Sequence, residues 1–144
     1  MIREFQSGDL DRVVEIWLEA NLQAHSFIPR QYWQGQLAPV KAMLPQAKIF
    51  VFQGEEGELQ GFLGLNGERI EGLFIWGPVR AQGLGKQLLD HAKAANNRLT
   101  LCVYQRNSRA AAFYRREGFQ VEGEGIDENT GEMEYRMVWR ADVC

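Results

Sequence analysis

A mixed α/β fold, one central sheet flanked by helices, is what this chain predicts, and three observations predict it. The apolar spacing switches along the chain between a period near 3.6 and a period of 2. In the middle, a strand pattern runs through a glycine-bearing turn into a helix and then into another strand, a crossover that demands parallel pairing at the sheet centre. The chain has 144 residues, 45% of them hydrophobic, which fits a single domain over 1–144 with an adequate core.

The elements follow in order. Met1 to Phe5 is short and mixed enough for an edge strand, and Ser7 or Asp9 can then cap a helix with apolar positions Leu10, Val13, Val14, Trp17 and Leu18. Pro29 can open a second helix carrying Trp33, Leu37, Val40 and Leu44 on one face, with Pro45 after its end. KIFVFQ, LQGFLGLN and RIEGLFIW read as three antiparallel strands separated by the polar turns GEEGE and NGE. Leu84, Leu88, Leu89, Ala92 and Ala95 mark the next helix. LTLCVY is a strand, SRAAAFYRREG a short helix that Gly118 stops, and FQVEGEG with EMEYRMVW a closing strand pair. The predicted order is β-α-α-β-β-β-α-β-α-β-β, with about seven strands and about four helices in a mixed, mostly antiparallel sheet.

Composition removes several function classes. A formal net charge of -3 supplies no general basic surface for a phosphate backbone, so nucleic acid is not expected as a partner. Cys102 and Cys144 have neither metal-ligand spacing nor the density of a secreted disulfide scaffold, and His25 with His91 adds no convincing ligand set. No metal is expected, and a reducing cytoplasm fits best. The N-terminus MIREFQSGDLDR has no apolar signal core, and no apolar run approaches the roughly 18 residues of a membrane span.

The stretch Arg80-Ala81-Gln82-Gly83-Leu84-Gly85-Lys86 places two glycines where a strand turns into a helix. Unpaired N–H groups and about half a positive charge at a helix start suit an anion, and glycine lets it approach the backbone. A P-loop ending at Gly85-Lys86 would need glycine at position 80 and serine or threonine at 87, where Arg80 and Gln87 stand; a dinucleotide fingerprint from Gly83 would need a third glycine at 88, where Leu88 stands. A glycine-rich helix start without any ligand is the alternative.

This R-x-x-G-x-G turn is followed by a second block, N-x-x-A-x-x-F-Y-x-x-x-G-F, formed by Asn107, Ala110, Phe113, Tyr114, Gly118 and Phe119. Together the two blocks resemble the GNAT family of acetyl-CoA-dependent N-acetyltransferases, over about the central third of the chain, and the element order is also that of the GNAT fold. Ala24-His25-Ser26-Phe27-Ile28 after the first helix is similar to a segment of small bacterial members. The resemblance implies that Arg80, Gln82, Gly83, Leu84, Gly85 and Lys86 surround the coenzyme A pyrophosphate. It implies too that the pantetheine arm pairs with Leu73, Phe74 and Ile75 like an added strand. Asn107 would anchor the arm from the other side, with Ala110 and Phe113 beside it.

Within that resemblance Tyr114 matches the general acid; a phenol with a pKa near 10 holds its proton at neutral pH, although an aromatic at helical spacing also serves core packing. Glu71 shares strand parity with Leu73 and Ile75 and is the candidate general base, with Glu68 the weaker choice; either could be a solvated face residue. His25, Phe27, Tyr32 and Trp33 lie in the segment that, by resemblance, walls the acceptor site. Arg106, Arg109, Arg115 and Arg116 around the last helix could meet the coenzyme's 3'-phosphate, although at least two suit a solvated face. The expected activity is direct transfer of acetyl from acetyl-CoA to a primary amine, which could be a small amine, a peptide N-terminus or a protein lysine, by a monomer or homodimer. The rival is a non-catalytic coenzyme A or acyl-CoA binding module with a regulatory role, and transfer from a larger acyl-CoA is a third possibility.

Overall fold

The computed structural model describes residues 1–79 and 82–141. Its elements are β1 (Ile2–Glu4), α1 (Leu10–Ala24), α2 (Arg30–Gly35), α3 (Leu37–Met43), β2 (Lys48–Gln53), β3 (Leu59–Asn66), β4 (Arg69–Ile75), α4 (Leu84–Ala94), β5 (Arg98–Tyr104), α5 (Ser108–Arg116), β6 (Gln120–Ile126) and β7 (Met133–Arg140). One sheet joins the strands in the order β1-β2-β3-β4-β5-β7-β6. Every pairing is antiparallel except β4 with β5, the parallel pair that the central crossover requires. The last strand inserts between β5 and β6 rather than adding at the edge.

Side-chain alternation divides the core between the two faces of the sheet. On one face Leu63, Leu65, Ile70, Leu99, Leu101 and Met137 pack with Leu88, Leu89 and Ala92 of α4 and with Ala111 and Tyr114 of α5. On the other, Ile49, Val51 and Phe62 pack with Val13, Ile16 and Trp17 of α1 and Trp33 of α2. Strand β3 is covered on both sides, which is why LQGFLGLN reads as a nearly continuous apolar run.

Three local departures from the sequence reading have physical causes. The second helix comes in two pieces, α2 and α3, so the helices number five among the described residues. Pro39 lies in the first turn of α3; it has no N–H, and its ring would clash with the carbonyl four residues back at Gly35, so a continuous helix breaks there. Asp9 does not cap α1 through its side chain; its carboxylate is held by Arg3 at 2.8 and 3.0 Å and by the Gln6 amide at 2.8 Å. In β4, Gly72 faces Gly64 while Ile70 faces Leu65, so Glu71 is the extra residue of a β-bulge. Simple parity therefore does not carry through Glu71: Ile70, three residues before Leu73, shares its face of the sheet.

The parallel pair is joined only near its base. Arg69 registers with Thr100, and the Thr100 amide donates to the Glu68 carbonyl at 2.9 Å. The ladder on the other edge of β4 runs from Asn66 opposite Arg69 to Gly61 opposite Ile75, and that of β5 with β7 runs from Arg98 to Tyr104. Past Thr100, β4 and β5 separate, and Leu73 to Ile75 keep one edge of their backbone out of any described ladder.

Candidate active site

Two clefts open from this separation. The larger, about 680 Å³, is bounded by Leu73, Phe74 and Ile75 of β4, by Gly83 to Lys86 at the start of α4, and by α5. The smaller, about 260 Å³, lies between the two strands and reaches Trp17 and Trp33. Asn21, His25, Leu73, Phe74, Asn107, Ala110 and Tyr114 line both, so the clefts share a wall. The sheet opening thus turns one surface into two chambers that meet.

At the mouth of the larger cleft, Gly83 adopts φ 81° as the N-cap of α4, and no side chain caps that helix. Its carbonyl accepts from the Gln87 amide at 3.1 Å, while the amides of the first turn have no intrahelical partner. Around Gly83 an added Cβ would meet no atom within 4 Å. Uncapped donors beside open space are what an anion requires. The Lys86 ammonium pairs with Glu117 at 3.0 Å and with Asp90 at 3.3 Å, and hydrogen bonds to Glu117 and then Asp90 raise its pKa. Gln82 is exposed just ahead of the turn, and Arg80 lies outside the described residues.

Asn107 caps α5, its Oδ1 accepting from the Ala110 amide at 3.2 Å. That fixes the side-chain amide so that Nδ2 donates to His25 Nε2 at 3.1 Å. His25 Nδ1 lies 2.9 Å from Asn21 Oδ1, and Asn21 Nδ2 donates to the Trp17 carbonyl at 2.9 Å. Both amide orientations are set by backbone partners, so the imidazole must accept at Nε2 and carry its proton at Nδ1. It is neutral, and burial pulls its pKa down to about 4. One relay of side chains thus joins α1 to the cap of α5 along the wall that the two clefts share.

The four predicted acceptor-side rings come together around this histidine. Trp33 stacks on His25 with centroids 5.5 Å apart, Phe27 meets it edge-on at 5.7 Å, and Tyr32 meets Trp33 at 4.9 Å. Tyr104 of β5, which the sequence reading did not single out, completes the cluster at 4.9 Å from His25. Its hydroxyl donates to Asp127 Oδ2 at 2.5 Å.

Tyr114 is buried among Phe113 and Phe119, with ring centroids at 5.2 and 5.5 Å, and it lines both clefts. Burial raises the pKa of its phenol, so the proton is held more firmly than in water. Ala110 and Phe113 line the larger cleft beside it. Glu71 lines the smaller cleft but is solvent-exposed and 3.7 Å from Arg69. Glu68 pairs with Arg98 at 3.0 Å beside the strand junction, outside the described lining of either cleft.

Of the four arginines, Arg106, Arg109 and Arg116 line the larger cleft. Arg106 also pairs with Glu132 at 3.2 Å and lies over Phe27, whereas Arg115 covers Tyr135. Among the lining residues, Asn21 and Glu134 were not singled out in the sequence, and Cys102 was weighed there only for metal or disulfide chemistry. Asn21 stands four residues before His25, the one signal that could have paired them; the other two sit on strands with no motif around them. Cys144 lies outside the described residues. Among the described residues no helix is long and apolar enough to cross a membrane, and no group of three or more metal-binding side chains gathers.

Comparison with known proteins agrees with this geometry. A family model described as an acetyltransferase (GNAT) domain matches residues 45–121. The chain is 34% identical over 123 residues to the peptidyl-lysine N-acetyltransferase YiaC of Escherichia coli K12, covering 84% of each protein. It is 32% identical over 130 residues to the peptidyl-lysine N-acetyltransferase YjaB of Salmonella typhimurium LT2, covering 90% of each. The solution structure of apo-form YjaB from Escherichia coli superposes with a TM-score of 0.88 at 28% identity, over 99% of this chain and 98% of that one. Likeness of this extent, in sequence and in fold together, makes the chain a member of the GNAT family and an N-acetyltransferase.

Proposed function

We propose that this chain transfers acetyl from acetyl-CoA to the side-chain amine of a lysine in a peptide or protein, by direct attack within a ternary complex. The observation that carries the reading is the shared wall: two clefts of different size meet at Tyr114, Asn107 and His25, so two substrates can lie in contact without an acyl-enzyme between them. The names of the relatives support lysine as the acceptor. Residues 1–144 act as one domain, in the cytoplasm, as a monomer or homodimer.

The larger cleft suits the coenzyme. The uncapped start of α4 at Gly83 to Lys86 offers N–H donors to the pyrophosphate. The free edge of Leu73 to Ile75 offers strand-like bonds to the pantetheine amides. Asn107 retains an amide proton beyond the one it gives to His25. When bound, acetyl-CoA supplies an activated thioester. The amine attacks its carbonyl carbon, and Tyr114 protonates the departing sulfur. Cys102 lines the acceptor cleft, yet burial, and next Glu134, raise the pKa of its thiol; a thiol kept protonated is a weak nucleophile, which favours the direct route.

The test is single-turnover transfer from acetyl-CoA to a lysine peptide at saturating substrates. Tyr114→Phe keeps the ring in its pocket and should slow transfer by roughly a hundredfold with coenzyme affinity unchanged. Rates within twofold would make Tyr114 a packing residue. Coenzyme binding without transfer to any amine would identify a binding module instead.

A further inference from the structure

Two carboxylates, Glu71 of β4 and Glu134 of β7, line the smaller cleft, with no lysine or arginine in its described lining. Their surroundings differ. Glu71 stands in the bulge, solvent-exposed and beside Arg69. Glu134 lies opposite Tyr104 in the β5–β7 ladder, is partly buried, and among the described residues its carboxylate makes no hydrogen bond or ion pair. Burial costs such an anion hydration, and the charge of Arg69, with which it forms no ion pair, offsets that cost only in part. A cation entering the cleft would supply what is missing.

We propose that Glu134 receives the acceptor's ammonium group and removes its proton, an assignment that rests on the lysine-acetylation reading. The ammonium N–H bond breaks and the proton passes to a Glu134 carboxylate oxygen, leaving a neutral amine. Its lone pair forms the N–C bond to the acetyl carbon, and the C–S bond breaks as sulfur takes the Tyr114 proton. The second proton lost by nitrogen replaces the one Tyr114 gave. The products are the amide, the thiol and a protonated Glu134 that discharges to solvent.

The neighbourhood suits the task. Burial first, then the negative charge of Asp127, raise the Glu134 pKa, while Arg69 opposes them; a carboxylate so perturbed is a stronger base than one in water. The other titratable groups around it are Glu71 from β4, Cys102 and Tyr104 from β5, Arg136 from β7, Tyr32 from α2, and neutral His25 after α1.

The experiment compares Glu134→Gln and Glu71→Gln with the wild type for acetyl transfer to a lysine peptide across pH 6 to about 10, the lysine pKa. Glu134→Gln should lower kcat/KM for the peptide by about a hundredfold at neutral pH, with the gap closing as the free amine takes over, while acetyl-CoA raises the melting temperature as in the wild type. Glu71→Gln should lose less than Glu134→Gln at every pH, because its exposed carboxylate beside Arg69 is the weaker base. A Glu134→Gln rate within threefold of wild type, a deficit that ignores pH, or a larger loss in Glu71→Gln would overturn the assignment. Should Glu134→Gln fail to fold, Glu134→Asp must exceed Glu134→Ala by about tenfold, and parity between them overturns it as well. If the wild type acetylates no lysine peptide, the functional reading fails. This assignment is then decided by titrating Nα-acetyl-lysine methylamide against the amide resonances of Tyr104 and Glu134, since equal affinity in wild type and Glu134→Gln sinks it.

Discussion

At the scale of single residues, His25 is the side chain most constrained by its partners. Protonating it would turn Nε2 into a donor facing the Nδ2 donor of Asn107, 3.1 Å away, and would loosen the relay from Trp17 to the cap of α5. Its folded pKa, about 4, lies below the ordinary value near 6.5. The unfolded chain therefore binds the proton first on acidification: the stabilisation is complete above pH 6.5 and drains away as pH falls toward 4. His25→Gln, which cannot titrate, should flatten that part of the stability profile, and urea melts at pH 7, 5.5 and 4.5 measure it. Equal slopes for both proteins would mean that His25 is hydrated and ordinary. Sequence reading reached Tyr114, Asn107 and the glycines because each belongs to a compact spacing pattern. It missed Glu134 because that residue becomes a neighbour of Tyr104 only through a strand pairing across 30 positions.

At the scale of elements, the start of α4 makes the sharpest demand. Gly83 holds φ 81°, which a side-chain-bearing residue adopts at a cost of about 1–2 kcal/mol, but space around its Cβ is open. Strain and ligand exclusion can therefore be separated by two substitutions. Gly83→Ala should lower the melting temperature yet keep most of the shift produced by acetyl-CoA. Gly83→Glu should lower it similarly and abolish the shift, because a carboxylate would occupy the space before the uncapped amides. If Gly83→Glu binds acetyl-CoA normally by calorimetry, the pyrophosphate does not sit there. Helix and strand types were legible along most of the chain because apolar periodicity survives packing. The break before α3 was legible too, in Pro39, but an apolar stripe from Trp33 to Leu44 masks it when only periodicity is read. The bulge at Glu71 left no such mark, since its cause is the pairing of β4 with β3.

At the scale of the whole molecule, the order of the strands follows from connections the sequence orders only partly. The central crossover required parallel β4 and β5, while nothing local says that β7 enters between β5 and β6. Because β4, α4 and α5 all border the larger cleft, a coenzyme bound there as proposed would touch elements on both sides of the strand separation and should stabilise them as one unit. At a hundred times its dissociation constant, acetyl-CoA should add about 2.7 kcal/mol, roughly 5–11 °C in melting temperature for a chain of this size, within a single transition by calorimetry. A transition that splits in two, with only one part moving, would show that the halves fold separately. The junction at Arg69 and Thr100 also sets how the molecule yields under load. Pinned at one end of the pair and parted at the other, the sheet works as a pair of tongs: spreading the jaws stretches no ladder bond between them, and among the described residues packed side chains, the His25–Asn107 strut and the Lys86–Glu117 pair resist it. The β4–β5 pair is therefore stiffer at the pin than at the gap, where an occupant would brace the two arms.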